Sequence, residues 1–303
     1  MAGHGEGSVK AILYALAANT GIAVAKGAAA FWTGSGAMLA ETIHSVADCG
    51  NQVLLLIGMK RSERPATAQH PLGHGRAMYF WALIVALLLF SVGGLFSAYE
   101  GIHRLLHPEP VKDPWIAIGV LVVSIALEAG SLWGALKIIR AQQGTRTFWQ
   151  WFRATRQSEL MVVAGEDIAA LGGLVFALIA LLLAIATGNP IFDALGSFVI
   201  GVLLIVVAML IVREVKSLIV GESADPLVHA EIEQFIAARP EVEKIYQLTT
   251  LQWGNHIVVA VKAAMRENAD AAKMIAQINA CESALKQKFP VVSWIFFEPD
   301  NVD

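Results

Sequence analysis

Two groups of acidic and imidazole side chains stand at helical spacing inside apolar stretches of this 303-residue chain. In the first group, Glu41, His44 and Asp48 share one helix face, because residues three or four apart lie one turn from each other. In the second, Glu166 and Asp167 are consecutive, so they point about 100° apart on a regular helix. An imidazole nitrogen beside a carboxylate oxygen is a ready ligand pair for Zn²⁺ or a similar divalent ion. The two groups together predict a metal site.

The alternative interpretation is a hydrogen bond between His44 and Asp48 that only joins helices. In a membrane helix, however, an ionisable side chain at mid-bilayer costs at least about 2.5–3.5 kcal/mol, and its default interpretation is functional. His44, Asp48 and Asp167 then supply three ligands. The candidates for a fourth ligand are Glu166, a water molecule, Cys49 and Asn51. An open fourth position suits a site that must release its ion.

Five other polar residues lie within or at the ends of the apolar stretches. Lys26 is predicted to snorkel or to pair with a carboxylate, and Asn19 to form a hydrogen bond between helices. Glu128 has no partner that the sequence identifies. Glu100 and Asp193 fall near the predicted ends of helices, where we expect them to be solvated.

The composition indicates what kind of protein carries these groups. Hydrophobic residues make up 56% and charged residues 16% of the chain, against about 45–50% and about 25% in soluble domains. Disordered and nucleic-acid-binding proteins need far more charge, and the formal net charge here is only −3. The two cysteines exclude a disulfide scaffold. The composition predicts an integral membrane protein with a soluble part.

Six stretches are long and apolar enough for membrane helices, which need about 20 residues each. They are residues 11–33, 36–59, 78–106, 115–138, 161–186 and 191–212. We interpret the first as a retained span and not a signal peptide, because no convincing cleavage site follows it and five more spans do.

The distribution of Lys and Arg predicts the orientation. Twelve of these residues fall in the N-terminal segment, in the loops after spans two and four and at the start of the tail, whereas the opposite side carries only Arg104 and Lys112. The positive-inside rule then places both termini in the cytoplasm. The short loops and termini are typical of bacterial proteins, so the predicted location is the cell inner (plasma) membrane.

The charge balance changes near Arg213. Residues 1–213 hold 14 Lys and Arg against 12 Asp and Glu, whereas residues 214–303 hold 8 against 13. We therefore divide the chain into a transmembrane domain, 1–213, and a cytoplasmic C-terminal domain, 214–303.

Periodicity within this tail predicts an α+β domain of order αββαβ, similar to ferredoxin-like metallochaperones. Its elements are a helix opening at Asp225-Pro226, strands Val242–Leu251 and His256–Ala264, a helix Ala269–Phe289 and a strand Val291–Phe297. So small a domain is marginal alone, and we expect it to pair with a second copy in a homodimer.

Four segments resemble signatures of the cation diffusion facilitator family. They are Ser35–Asp48 followed by Asn51-Gln52, His70–Arg76, Asp193–Ser197 followed by Ile200-Gly201, and Leu218–Glu222. The resemblance covers essentially the whole chain. It implies a homodimeric antiporter that moves divalent cations out of the cytoplasm in exchange for protons.

The resemblance also implies a ligand set. Family members usually take two ligands from span two and two from span five, and His44, Asp48 and Asp167 match three of these positions. Val163 stands where zinc-specific members carry His, and our hypothesis is that Glu166 replaces it. The Glu166-Asp167 pair and the small residues after it resemble the branch of the ninth animal zinc transporter.

Two accessory sites of the family look depleted in this chain. His70 and His74 match two ligands in the loop before span three, but Thr67 stands where an Asp ligand is expected. The alternative is that these histidines only shape the loop. In the tail, Tyr246, Val261 and Phe296 replace His ligands and only Glu298 keeps a carboxylate. We therefore predict no binuclear metal site in the tail.

The predicted function is proton-coupled export of divalent transition-metal cations, with Zn²⁺ first. The alternatives are the same fold carrying Mn²⁺, Fe²⁺, Co²⁺ or Ni²⁺, and a metal-responsive membrane scaffold that transports nothing. We predict no enzyme, because the sequence has no catalytic triad, His-Glu-x-x-His motif or phosphate-binding glycine loop. We expect no cofactor besides the transported ion and protons. The expected partners are the lipid bilayer and a second copy of the chain, and no nucleic acid.

Overall fold

The larger part of the chain is a bundle of helices. The computed structural model describes residues 3–108, 113–266 and 270–302. The helices of the bundle are α1 (Gly3–Thr33), α2 (Gly36–Ser62), α3 (Ala77–Leu88), α4 (Phe96–Leu106), α5 (Pro114–Gln143), α6 (Phe148–Ala154), α7 (Ser158–Thr187) and α8 (Ile191–Val220). A π-helical segment, Leu89–Leu95, joins α3 to α4, so the helix continues from residue 77 to residue 106.

Four helical stretches within the described residues are long and apolar enough to cross a membrane. They are Ala77–Leu106, Pro114–Ala141, Ser158–Thr187 and Ile191–Val220, and they correspond to the predicted spans three to six. α2 is of similar length, but Glu41, His44 and Asp48 lie in its first half and lower its mean hydropathy. The first two of the six spans therefore stay a prediction.

Asp193 fixes the start of α2 against the start of α8. Its two carboxylate oxygens accept hydrogen bonds from Ser35 Oγ and from the backbone N–H of Gly36, both at 2.9 Å. Ser35 in turn caps α2 by accepting the N–H of Met38. A carboxylate at a helix N-terminus satisfies free N–H groups and opposes the positive end of the helix dipole. The expectation that Asp193 is solvated is wrong, because it is buried.

Small residues allow α4 and α8 to approach closely. The backbone of Phe198 stands where a side chain on Gly101 would be, and the backbone of Ala98 where one on Gly201 would be. Membrane helices pack in this way because glycine lets two backbones approach each other. The contact holds α8 against the helix that follows the π-helical segment.

The tail is a three-stranded sheet with two helices. It consists of α9 (Pro226–Ala237), β1 (Val242–Trp253), β2 (His256–Met265), α10 (Ala271–Lys288) and β3 (Val292–Pro299). β2 lies in the centre, antiparallel to β1 and parallel to β3. The elements follow the predicted order. Ala269, the predicted start of the second helix, and Lys112, used for the orientation, lie outside the described residues.

The two faces of this sheet differ. Ile232 and Ile236 of α9 and Cys281 and Leu285 of α10 pack against buried residues of β2 such as Val259. Burial among these apolar side chains raises the pKa of the Cys281 thiol. The other face has a groove of about 520 Å³, whose lining includes Gln247, Thr249, Lys262 and Phe296. Phe296 is 57% exposed there, so this face is open in the single chain.

The turn between β1 and β2 docks on the start of α3. Tyr79 Oη accepts a hydrogen bond from the N–H of Gly254 at 3.0 Å, and the guanidinium of Arg76 lies 4.2 Å from the ring centre of Trp253. Gly75 is required here, because the Trp253 carbonyl occupies the place of a side chain. The tail therefore has a defined position on the helix bundle.

Two ion pairs join the α5–α7 connection to the segment after α8. Arg146 pairs with Asp225 at 2.7 Å and Arg156 pairs with Glu222. α8 itself runs as one helix through Arg213 to Val220. The bundle and the tail are thus linked by a continuous helix and by contacts from two loops.

Candidate metal site in the helix bundle

His44 and Asp48 form the first half of the site, on α2. Both are buried, and His44 Nδ1 lies 3.5 Å from Asp48 Oδ1. Neither His44 nitrogen has a hydrogen-bond partner, and Asp48 Oδ1 has none. Buried polar atoms normally have partners, so unpaired ones mark a place that needs a functional explanation. The alternative, a His44–Asp48 hydrogen bond that joins helices, is not formed: the two atoms are 3.5 Å apart without a hydrogen bond, and both residues lie on α2.

Glu166 and Asp167 form the second half, on α7, and they reach different neighbours. Glu166 Oε1 accepts a hydrogen bond of 2.6 Å from Asn51 Nδ2 of α2. Asp167 Oδ2 accepts one of 3.2 Å from Ser131 Oγ of α5. This divergence is the one expected from consecutive helical positions. Both carboxylates lie close enough to Asp48 for their charges to interact with it.

Glu128 is a further buried carboxylate near Asp48, Glu166 and Asp167, and the sequence identified no partner for it. It is buried on α5, and its charge interacts with those of Asp48, Glu166 and Asp167. The signal was its spacing of three residues from Ser131, which puts both on the α5 face that contacts α7. The sequence could not show that this face meets Asp167.

The donors surround a common region but do not form a coordination shell. Within the described residues, no three His, Cys, Asp or Glu side chains lie close enough to hold one metal ion. Zinc ligands converge to about 2.0–2.3 Å from the ion. The set of His44, Asp48, Asp167 and Glu166 therefore stays a prediction, and side-chain movement is required for it to close around an ion.

The other candidates for a fourth ligand have their own contacts. Asn51 uses its amide nitrogen on Glu166, and its Oδ1 has no partner. Cys49 Sγ lies 3.6 Å from Thr20 Oγ1 of α1. Val163 packs against the apolar core of the bundle and offers no donor. Asn51 is thus the neighbour that can act on the site, through the orientation of Glu166.

An ion pair lies on the same face of α2. Lys26 Nζ of α1 is 3.1 Å from Glu41 Oε2 and donates a hydrogen bond of 2.8 Å to Ser45 Oγ. Lys26 and Glu41 are both fully buried. The prediction that Lys26 pairs with a carboxylate is confirmed. Glu100, in the second turn of α4, pairs with Arg104 at 2.6 Å and is half-buried, so it is not simply solvated.

The histidines of the accessory site lie in the loop between α2 and α3. The rings of His70 and His74 stack with their centres 4.4 Å apart. Thr67 Oγ1 accepts a hydrogen bond from the N–H of His70, which favours a loop-shaping role. His74 also lines a cavity of about 330 Å³ between this loop and the tail, together with His256 and Ser293.

Comparison with known proteins gives the family. Residues 12–220 match the sequence profile described as the cation efflux transmembrane domain. One relative is the Xenopus laevis protein named "Proton-coupled zinc antiporter SLC30A9, mitochondrial". It is 33% identical to this chain over 225 residues, and the aligned region covers 74% of this chain and 40% of the relative. The chain is also 31% identical over 220 residues to metal tolerance protein C4 of Arabidopsis thaliana, covering 71% and 48%.

A bacterial relative matches over more of its own length. The cation-efflux pump FieF of Salmonella newport is 27% identical over 266 residues, covering 86% of this chain and 82% of the relative. By contrast, the chain spans less than half the length of the animal and plant relatives above. The resemblance to the ninth animal zinc transporter is confirmed.

The matched residues include α2, α5 and α7, which carry His44, Asp48, Glu128, Glu166 and Asp167. Members of this family are membrane transporters and not enzymes. The chain is a multi-pass membrane protein and belongs to the cation efflux, or cation diffusion facilitator, family.

Proposed function

We propose that the chain is a proton-coupled antiporter that exports divalent transition-metal cations, with Zn²⁺ first, from the cytoplasm. The observation that carries this is the group of buried, unpartnered donor atoms on His44 and Asp48, beside the carboxylates of Glu166 and Asp167. The names of the SLC30A9 relatives, which describe proton-coupled zinc antiporters, support the choice of ion and of coupling.

The proposal includes six membrane spans. α1 and α2 are 31 and 27 residues long, which is more than the about 20 residues that a bilayer requires. The polar groups of α2 face inward, since Glu41, His44 and Asp48 are all buried against other helices. A span of this kind is tolerated because its charges avoid the lipid.

The proposed orientation has both termini in the cytoplasm of a bacterial inner membrane. The tail docks at Tyr79, at the same end of the bundle as the Arg146 and Arg156 pairs. That end carries most of the Lys and Arg residues, which supports its placement inside. The proposed domains are the transmembrane residues 1–213 and the cytoplasmic residues 214–303.

The transport step follows from the ligand chemistry. Metal binding requires a neutral imidazole and ionised carboxylates, so the ion displaces protons when it binds. When the site opens to the other side, protons compete for His44, Asp48 and Asp167 and help to release the ion. Metal and protons thus use one set of groups in turn, and antiport needs no covalent chemistry.

We propose that the protein works as a homodimer whose tails pair without zinc. The open face of the sheet supports this, because it presents the exposed Phe296 beside a groove of about 520 Å³. At the other family ligand positions, Val261 is buried, and the Tyr246 hydroxyl donates a hydrogen bond to the Asn301 carbonyl. Neither side chain is a metal ligand, and Phe296 is the one of the three replaced positions that offers an exposed apolar surface.

The test is ion flux in proteoliposomes under an imposed pH gradient. We expect zinc flux that follows the gradient, that Asp48→Ala abolishes and that Glu100→Gln leaves unchanged. The Glu100–Arg104 pair is a suitable control because it involves none of the proposed ligands. Saturable zinc binding with no flux for any ion would contradict the antiporter and favour a metal-responsive scaffold.

A second candidate cargo is favoured by Val163, which leaves α7 without the usual His. The site is then richer in oxygen than in nitrogen, and oxygen ligands suit harder ions. The same flux assay with Mn²⁺, Fe²⁺, Co²⁺ and Ni²⁺ decides between the cargoes. If one of these ions is carried at least as well as Zn²⁺ and Val163→His reverses the order, zinc is not the preferred ion.

A further inference from the structure

Lys26 stands out because it is a buried cation in a group of carboxylates. Among the side chains whose burial the structure describes, it is the one Lys or Arg that is buried. Its Nζ contacts Glu41 and Ser45 of α2 at 3.1 and 2.8 Å. A charge in the membrane interior is costly unless it is paired. Pairing explains why Lys26 is tolerated, but it does not explain its position.

That position is on the stripe of α2 that carries the metal ligands. Glu41 and Ser45 are one turn apart, and His44 and Asp48 follow at the same helical spacing. The charge of Lys26 acts on both His44 and Asp48. The ammonium therefore lies where it opposes the charge of an ion bound between these residues.

Glu41 is a potential metal ligand that is occupied by its ion pair with Lys26. Its Oε2 is bound to Lys26, whereas its Oε1 is buried and has no hydrogen-bond partner. Oε1 faces α7 at Gly173, where an added Cβ would lie only 2.5 Å from it. The carboxylate thus points to the helix that carries Asp167. It lies seven residues from Asp48, about 10 Å along α2, towards the end of the helix away from the tail.

We propose that Lys26 is a built-in counter-ion that keeps Glu41 from the transported metal and weakens metal binding at His44 and Asp48. This inference rests on the metal site of the proposed function. A transporter must release its ion, and a fixed positive charge near the site favours release. The pair also lies on the side of Asp48 opposite the tail. A freed Glu41 would therefore add a carboxylate along the path by which the exported ion leaves the site.

The test is equilibrium binding of Zn²⁺ to the full-length protein in nanodiscs, by calorimetry. Lys26→Met removes the positive charge and frees Glu41, so we expect binding to tighten at least about tenfold. Glu41→Gln leaves Lys26 without its counter-charge, and binding should weaken by about the same factor. The double variant K26M/E41Q removes both charges, so its affinity should lie within about threefold of the original protein.

Two controls separate this role from a structural one. Glu100→Gln breaks a different ion pair, the one with Arg104 on α4, and should not change zinc affinity. Binding of Co²⁺ followed by its visible spectrum reports on the ligand set, and we expect a changed spectrum in Lys26→Met but not in K26M/E41Q. If Lys26→Met does not fold, the other two variants still test the proposal. Glu41→Gln should bind zinc more weakly, and the double variant should restore the affinity of the original protein.

Equal zinc affinities in all four proteins, with only thermal stability altered, would make the pair a structural link and overturn the proposal. Weaker binding in Lys26→Met would also overturn it. Zinc flux with unchanged binding in the variants contradicts this inference alone. If the zinc affinities follow the expected order but no flux occurs, the proposed antiport is contradicted and the role of Lys26 is not. If the original protein binds no zinc, both proposals are contradicted.

Discussion

The helix bundle and the tail differ in how many of their buried polar atoms have hydrogen-bond partners. In the tail, buried Gln252 donates to the Gly254 carbonyl at 2.7 Å, and Thr250 exchanges hydrogen bonds with Ser223 and His229. In the described part of the chain, every buried side-chain N or O atom without a partner lies between residues 41 and 159, except Trp253 Nε1. Satisfied polar groups stabilise a fold, whereas unsatisfied ones cost stability and are kept for another reason. The difference supports the proposal that the metal site lies in the bundle.

The largest expected effect comes from the carboxylates of α7. We expect Asp167→Asn and Glu166→Gln each to lower zinc affinity by about 100-fold or more, because each removes the charge of a proposed ligand. Flux and calorimetry on the same preparations measure this. Full transport by Glu166→Gln, together with loss in Asp167→Asn, would show that Glu166 does not replace the His missing at Val163.

A smaller effect is expected from the residues that hold these carboxylates. Ser131→Ala and Asn51→Ala remove the hydrogen bonds to Asp167 and Glu166. Outer-shell partners of metal ligands typically contribute about 10–100-fold in affinity, and we expect about tenfold here. Ser124→Ala, which removes a buried hydroxyl from the same helix without touching either carboxylate hydrogen bond, is the control. An equal loss in Ser124→Ala would mean that α5 packing and not ligand orientation is responsible.

In the tail, the loss of a buried polar group should change stability and not transport. Thr250→Val removes contacts to Ser223 and His229, and we expect it to cost about 1–2 kcal/mol of unfolding free energy. Thr249→Val, an exposed neighbour, should cost much less. Thermal unfolding and zinc flux are measured on both. A large change in flux at unchanged stability would break the distinction between the two regions.

The smallest effect concerns a polar pair at the edge of the tail. Lys262 donates a hydrogen bond to Asp300, which lowers the pKa of that carboxyl below its ordinary value. A carboxylate of this kind stabilises the fold above its unfolded-state pKa, and the contribution is lost as the pH falls through the folded value. We expect Lys262→Met to raise the pKa of Asp300 in an NMR titration without a detectable change in stability, since the pair is screened by solvent. An unchanged titration would assign the shift to the backbone N–H groups of Asn301 and Val302.

The apolar pattern predicted the long elements well, and the reason is physical. Spans three to six and the three strands depend on local composition and alternation, which the sequence carries directly. α6 (Phe148–Ala154) was not predicted, although its capping box of Thr147 and Gln150 is a recognised start signal. The π-helical segment Leu89–Leu95 lies in a uniformly apolar run, where hydropathy cannot reveal a change of helix type.

The site could be predicted from the sequence only in part, because it depends on contacts between helices that are far apart in the chain. The sequence placed His44 and Asp48 on one face because their spacing is local. It could not place Glu128 beside Asp167, or Asp193 at the start of α2, because those contacts join residues that are far apart in the chain. The solvated role expected for Asp193 failed for this reason.

The docking of the tail has a consequence for the order of folding. The hydrogen bonds between Tyr79 and Gly254 join residues 175 positions apart, whereas the β1–β2 hairpin is local. Chains fold from the N-terminus as they are synthesised, and contacts of long separation close late. The tail can form its own hairpin first, but it can dock only after the helices between Tyr79 and Gly254 have been made and inserted. The docked turn therefore marks a completed bundle, and a chain with a misplaced helix would leave Trp253 uncovered for proteases and chaperones to recognise.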